Sequence, residues 1–197
     1  MKRKSLLTAA LLTFLMMQAC QSPERRAAKV QSAPIDSALE KDIITDTTGI
    51  SRGAGISVFM TEAATEGMMK LELAKIAVQK ATNPRIQKYA KMVVKDHEKI
   101  GERLKKLAED KKITLPTTLP QADLNHLDEL RKMPANDFEK HFVDMMVKGH
   151  KKILDLYKAA TTSGDTPLER FARSNLSKLE AHYKGSVSLD KKLYKHF

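Results

Sequence analysis

The chain of 197 residues has no tryptophan, a single cysteine, and aromatic residues at only 5% of its positions. So few stacking groups argue against a nucleic-acid binder, even though the formal net charge is +11. One cysteine excludes an internal disulfide, so packing alone must hold the fold. Glycine (8) and proline (7) are also sparse, which leaves long stretches free of helix breakers. No alternating strand pattern competes with helix. The sequence has no glycine-rich phosphate loop, nucleophile elbow or HExxH, so hydrolase and nucleotide chemistry have no support and a non-enzyme is expected. The longest apolar run, Leu6 to Met17, has 12 residues, too few to cross about 30 Å of hydrocarbon as a helix.

That run follows Lys2, Arg3 and Lys4 and ends at Met17-Gln18-Ala19-Cys20, the layout of an export signal. Ala19 before Cys20 is similar to a bacterial lipobox, which implies cleavage before Cys20 and lipidation of its thiol. Residues 1–19 are therefore expected to be a lipoprotein signal peptide. The remainder is expected in the periplasm or on the outer membrane, held by acyl chains on Cys20. Plain secretion is the alternative. The leader takes three of the 35 basic residues and none of the 24 acidic ones, which leaves a net charge of +8. For an exported basic domain, anionic lipid or envelope polymer is a reachable partner, through Lys105–Lys112 or Lys148–Lys152, and nucleic acid is not. A solvated lysine-rich helix surface is the simpler reading of the same charges.

Residues 20–55 mix proline, glycine, serine and charge without sustained periodicity, the composition of a flexible tether with a reach of roughly 30–35 Å. Residues 56–197 are different. A first helix is expected from about Ser57 to Ala81, with Met60, Ala64, Gly67, Leu71, Ala74 and Val78 in heptad spacing. Asn83-Pro84 supplies an N-cap and a first-turn proline for a second helix to about Lys111. A short helix is expected near Asp123 to Arg131. A third long helix begins at Asn136, with Glu139 as capping-box partner, and ends at Gly164. A fourth begins at Thr166-Pro167-Leu168-Glu169, read as a T-x-x-E capping box, and runs to about Tyr194. Four long helices with tight first and last turns make an all-α four-helix bundle. The connection of residues 113–135 is long enough to run the length of the bundle, as in ferritin-like topology, without being obliged to.

The apolar stripes of three helices carry one histidine each. His97 lies among Ile86, Ala90, Val93, Ile100 and Leu104; His150 among Val143, Met146, Ile153 and Tyr157; His182 among Leu168, Ala172, Leu179 and Leu189. All three are near mid-helix, and mid-helix positions share a level whichever way each neighbour runs. Three neutral imidazoles with an open fourth position suit zinc, copper or iron. Asp96 points about 100° away from His97 and is expected on the surface or as an outer partner. Glu66, Glu72 and Met146, with Met68 and Met69, are further supporting candidates at that level. The alternative is a buried polar layer that fixes register, bonded to Asn175, Ser186, Tyr157 or water. A di-iron centre is not expected. Such bundles place a carboxylate three residues before the histidine, and here those positions are Val94, Val147 and Leu179.

NPRIQKYAKMVVKDHEKI (83–100), FEKHFVDMMVKGHKKIL (138–154) and LERFARSNLSKLEAHYKGSVSL (168–189), with LELAKIA (71–77), resemble a bacterial exported family known as domain of unknown function 4142. The resemblance covers about Phe59 to Leu189. Its most distinctive residues map to Asp96-His97, His150 and His182. It implies a ferritin-like fold and an exported or outer-membrane location, and it brings no established activity. The expected function is therefore a lipid-anchored, non-catalytic binding or structural module of the cell envelope. The alternative is a metal-binding protein acting through the three histidines.

Overall fold

A computed structural model describes residues 47–194, the side chains of 47–52 and 54 excepted. The expected signal peptide, Cys20 and the expected tether up to residue 46 lie outside the described residues. Within them the chain is helical: α1 (Thr47–Lys80), α2 (Pro84–Asp110), α3 (Gln121–Lys132), α4 (Ala135–Ala160) and α5 (Thr166–Leu193). None of these helices is long and apolar enough to cross a membrane.

Helix α1 begins at Thr47, earlier than the expected Ser57, and takes in residues 47–55 that read as tether. Glycine lowers helix propensity without forbidding a helix. Gly53 and Gly55 are accommodated at the solvent-facing start. The buried face of α1 also differs from the heptad reading. Met60 and Ala74 are fully buried, but the face continues through Ala63, Leu73 and Ala77, while Ala64, Gly67, Leu71 and Val78 are only half-buried. The run Leu71 to Val78 is apolar almost all round, so periodicity alone does not select one face.

The helix ends show which local signals decide. Asn83 caps α2 as expected, its Oδ1 accepting from the Arg85 N–H at 2.9 Å with Pro84 following. At the other end Lys112 adopts a left-handed φ of 56°. There the Ile113 N–H reaches the Ala108 carbonyl at 2.9 Å and the Lys112 N–H reaches Glu109 at 3.0 Å, a Schellman closure. The expected cap of α5 moves by one residue. Asp165, not Thr166, accepts from the Leu168 N–H at 2.9 Å, because a carboxylate at that position is the stronger acceptor for a helix N-terminus. Glu169 instead holds the Gly164 N–H at 2.9 Å. Likewise Glu139 is not the capping-box partner of Asn136. Its Oε1 accepts from the Asn83 N–H at 2.8 Å and the Thr82 hydroxyl at 2.9 Å, tying α4 to the α1–α2 turn.

That tie, with the Lys111–Asp165 ion pair at 2.6 Å at the opposite end, sets the topology. The start of α4 meets the end of α1, and the end of α2 meets the start of α5. Helices α1, α2, α5 and α4 thus stand around a square with every neighbouring pair antiparallel. The connection carrying α3 runs lengthwise from the far end of α2 to the near end of α4, which is the ferritin-like arrangement. Two apolar clusters fill the bundle. One is built around Leu73, Ile86, Val93, Phe138, Phe142 and Met146, the other around Phe59, Ile100, Leu104, Ile153, Tyr157 and Leu179. The histidines lie between them.

Candidate metal centre

His97 comes from α2, His150 from α4 and His182 from α5. Each is flanked by core residues one turn away and almost wholly buried, with 3%, 0% and 0% of its surface exposed. One nitrogen from each ring lies within 4.8 Å of the others. The rings of His97 and His182 stack at 5.4 Å, and His150 meets both edge-on at 5.4 and 5.1 Å.

The surrounding hydrogen bonds assign protons to two of the rings. Asp96 Oδ2 accepts from His182 Nε2 at 3.0 Å, so the His182 proton is on Nε2 and its Nδ1 keeps a lone pair. The Tyr89 hydroxyl donates to the His182 backbone carbonyl at 3.0 Å. Its oxygen is then left to accept from His150 Nδ1 at 3.2 Å, a group that also donates to the Met146 carbonyl at 3.0 Å. His150 therefore carries its proton on Nδ1, and its Nε2 lone pair faces inward. That atom stands 3.3 Å from Nε2 of His97. Without a metal, His97 Nε2–H fills this gap. The Nδ1 atoms of His97 and His182 then have no hydrogen-bond partner among the described residues. A buried acceptor without a donor costs free energy.

Burial holds all three rings neutral. It drives the His97 pKa down to about 3, helped by His182 and Lys70 and opposed by Asp96. Burial, then His97 and His182, hold His150 well below the ordinary imidazole value. Burial also lowers His182 against the pull of Asp96. Neutral imidazole is the ligand form. Asp96 on His182, and Met146 and Tyr89 on His150, are partners of the kind that orient histidines in metal sites. A separation of 3.3 Å between two nitrogens is also that of two ligands about 2.0–2.1 Å from a tetrahedral ion.

The other candidates have different places. Glu66 is taken by two lysines, with Lys70 at 2.6 Å and Lys152 at 2.7 Å. Burial works to raise its pKa, yet these cations hold it below the ordinary carboxylate value. Glu72 pairs with Lys75 at the surface, at 2.9 Å. Met146 reaches the site through its backbone carbonyl and packs its side chain in the core. Met69 is core and Met68 packs beside it. Asn175 bonds Phe171 and Arg103 rather than a histidine, and the Tyr157 hydroxyl has no hydrogen-bond partner among the described residues. Of the lysine clusters, Lys111, Lys148, Lys151 and Lys152 each sit in an ion pair.

Two contributors escape sequence reading. Tyr89 lies at the edge of the α2 stripe, three residues after Ile86 and four before Val93, so its spacing marks it as buried. A buried hydroxyl at that place needs partners, and that was the available signal. Lys70 has no such signal. Only 5% exposed, it crosses α4 at Gly149, where a Cβ would stand 1.9 Å from its Cε.

The model of a family described as a domain of unknown function (DUF4142) matches residues 54–189. The chain belongs to this family. Among solved structures the DUF4142 chain is similar to a DUF305 fragment from Deinococcus radiodurans. That likeness has 11% identity and a TM-score of 0.62, and covers 71% of this chain and 97% of the other. It is a likeness of fold alone. No curated protein matches the sequence.

Proposed function

We propose that this DUF4142 chain is an exported, lipid-anchored module of the cell envelope that binds one transition-metal ion, without catalysing a reaction, through His97, His150 and His182. One observation carries the metal reading: three neutral imidazoles from three helices converge, and the partners that orient two of them leave one nitrogen lone pair free on each ring. The rival is a polar layer that only fixes register. It is weakened by the unpartnered Nδ1 of His182, since such a layer gains nothing from leaving an acceptor unsatisfied that a metal ion would use. Three nitrogen ligands and no carboxylate within the trio suit zinc or copper. The anchoring part rests on the leader and Cys20.

Metal analysis of the purified chain, with thermal unfolding in the presence of zinc and of copper, tests the site. One equivalent of metal per chain and a raised unfolding temperature are expected. Absence of stoichiometric metal together with an unmoved transition refutes it. Mass spectrometry of the membrane fraction tests the anchor, by whether the N-terminal peptide begins at an acylated Cys20.

A further inference from the structure

A cavity of about 410 Å³ lies between α1 and α2 under the segment that follows α2. Its walls near His97 are aliphatic, with Ala64, Met68 and Leu71 on one side and Gly101 and Leu104 on the other, while Lys105, Glu109 and Thr117 line it farther from that ring. Residues 97–109 of α2 border it, a length of about 18 Å. At one end is His97. Its unpartnered Nδ1 faces Gly67, whose missing Cβ would stand 4.0 Å from it.

The glycines in its walls bear on purpose. Gly149 and Gly185 give room to Lys70 and Tyr89, whose atoms a Cβ would meet at 1.9 and 3.0 Å. Gly67 and Gly101 make no such room, since a Cβ at Gly101 would meet nothing within 4 Å and one at Gly67 only the His97 nitrogen. Both nonetheless lower the stability of their helices, and both widen this cavity. A volume of this size, largely apolar walls and a few polar groups, with the unpartnered His97 nitrogen at one end and Lys105 and Glu109 toward the other, are the features of a small-molecule site.

We infer that the cavity binds a slender aliphatic alcohol, its chain along α2 and its hydroxyl on His97 Nδ1. The head follows from the proton positions. Without metal, His97 spends its proton on His150, and Nδ1 accepts from the alcohol O–H. With metal on Nε2, Nδ1 carries the proton and donates to the same oxygen. A hydroxyl can serve both states, whereas a carboxylate only accepts and would be buried at a desolvation cost. Resting on the metal reading, the second state makes the alcohol the outer partner that His97 lacks, as Asp96 is for His182. Binding of alcohol and of metal must then strengthen each other by the same factor.

Calorimetric titration of the full chain with octan-1-ol, with and without zinc, tests this. Saturable one-to-one binding is expected, with octanoate at least tenfold weaker at neutral pH. Gly101→Leu and Ala64→Phe, which fill the cavity from opposite walls, are expected to weaken octan-1-ol at least tenfold and leave zinc affinity unchanged. Zinc is expected to tighten octan-1-ol at least threefold, and octan-1-ol to tighten zinc equally. Unsaturable uptake, octanoate binding as tightly as the alcohol, or undiminished binding in both variants overturns the inference. If zinc binds and octan-1-ol does not, the cavity proposal alone falls. If octan-1-ol binds and zinc does not, the metal function falls and the alcohol site stands. Uncoupled binding of both removes the outer-partner role.

Discussion

Asp96 of α2 accepts a hydrogen bond from His182 of α5 at 3.0 Å, although its own sequence neighbour is His97. Adjacent positions on a helix point about 100° apart. One dipeptide therefore contributes a donor to the histidine cluster and an orienting carboxylate to the donor of another helix. Lys178 lies 3.7 Å from the other oxygen of Asp96, so the carboxylate is held from the solvent side as well.

Asp96→Asn therefore separates orientation from ligation. The amide can still accept from His182, but the charge that raises ligand basicity is gone. Zinc affinity is expected to fall about 10- to 100-fold, with one metal still bound per chain. Competition against a chelator of known affinity measures it, and an affinity unchanged within twofold excludes the outer role of Asp96.

His97→Leu is expected to abolish metal uptake. In the metal-free protein the same change removes the unpartnered Nδ1 and adds apolar volume but takes the donor from His150 Nε2, so the two effects offset and stability is expected to stay within about 1 kcal/mol of the wild type. Elemental analysis and denaturant unfolding read the two effects separately. Wild-type metal content in this variant would exclude His97 as a ligand.

Acid is expected to destabilise the metal-free fold well before carboxylates titrate. The histidine pKa values are lowered by burial, so below about 6.5 the unfolded chain binds protons that the native chain refuses. Stability is fully present above that pH. It falls as pH drops toward the native His97 value of about 3, by about 1.4 kcal/mol per pH unit for each such group. Zinc, which binds only the neutral rings, is expected to move the acid transition to lower pH. Urea midpoints between pH 7 and 4 that do not move, with metal absent, contradict neutral buried histidines.

Lys70→Met removes a cation that disfavours charge on His97 and His150. Zinc affinity is expected to rise several-fold, since a divalent ion meets the same repulsion as a proton. Glu66 keeps Lys152 as partner, and the methionine fills the lysine stem's place. Weaker zinc binding in this variant would show that Lys70 supports the site instead.

Glu139→Ala is expected to destabilise the bundle by about 2 kcal/mol, because it frees the backbone donors of the α1–α2 turn from a charged acceptor. Glu139→Gln, which keeps an acceptor oxygen, is expected to lose less. Thermal unfolding of the pair tests whether this contact, rather than a cap on Asn136, is what the carboxylate does.

Much of the architecture was legible in the order of residues. The stripes through His97, His150 and His182 repeat at helical spacing, and the Asn83-Pro84 punctuation starts a helix where expected. These are local effects of side-chain period and backbone capping. The buried face of α1, the cap at Asp165 and the reach of Glu139 were not legible. At α1 and Glu139 several local solutions competed and a neighbouring helix chose among them, whereas at Asp165 two adjacent capping residues competed and the carboxylate won.

The helices, and the level at which each carries its imidazole, were determined by the sequence itself, because periodicity and capping act within a few residues. Which way the long connection ran, and hence which helices became neighbours, was decided only by the tertiary structure. So were the placing of Asp96 against His182, Tyr89 against His150 and Lys70 across Gly149, and the cavity beside His97. Those depend on how four surfaces pack at once, and no single stretch of chain contains that information.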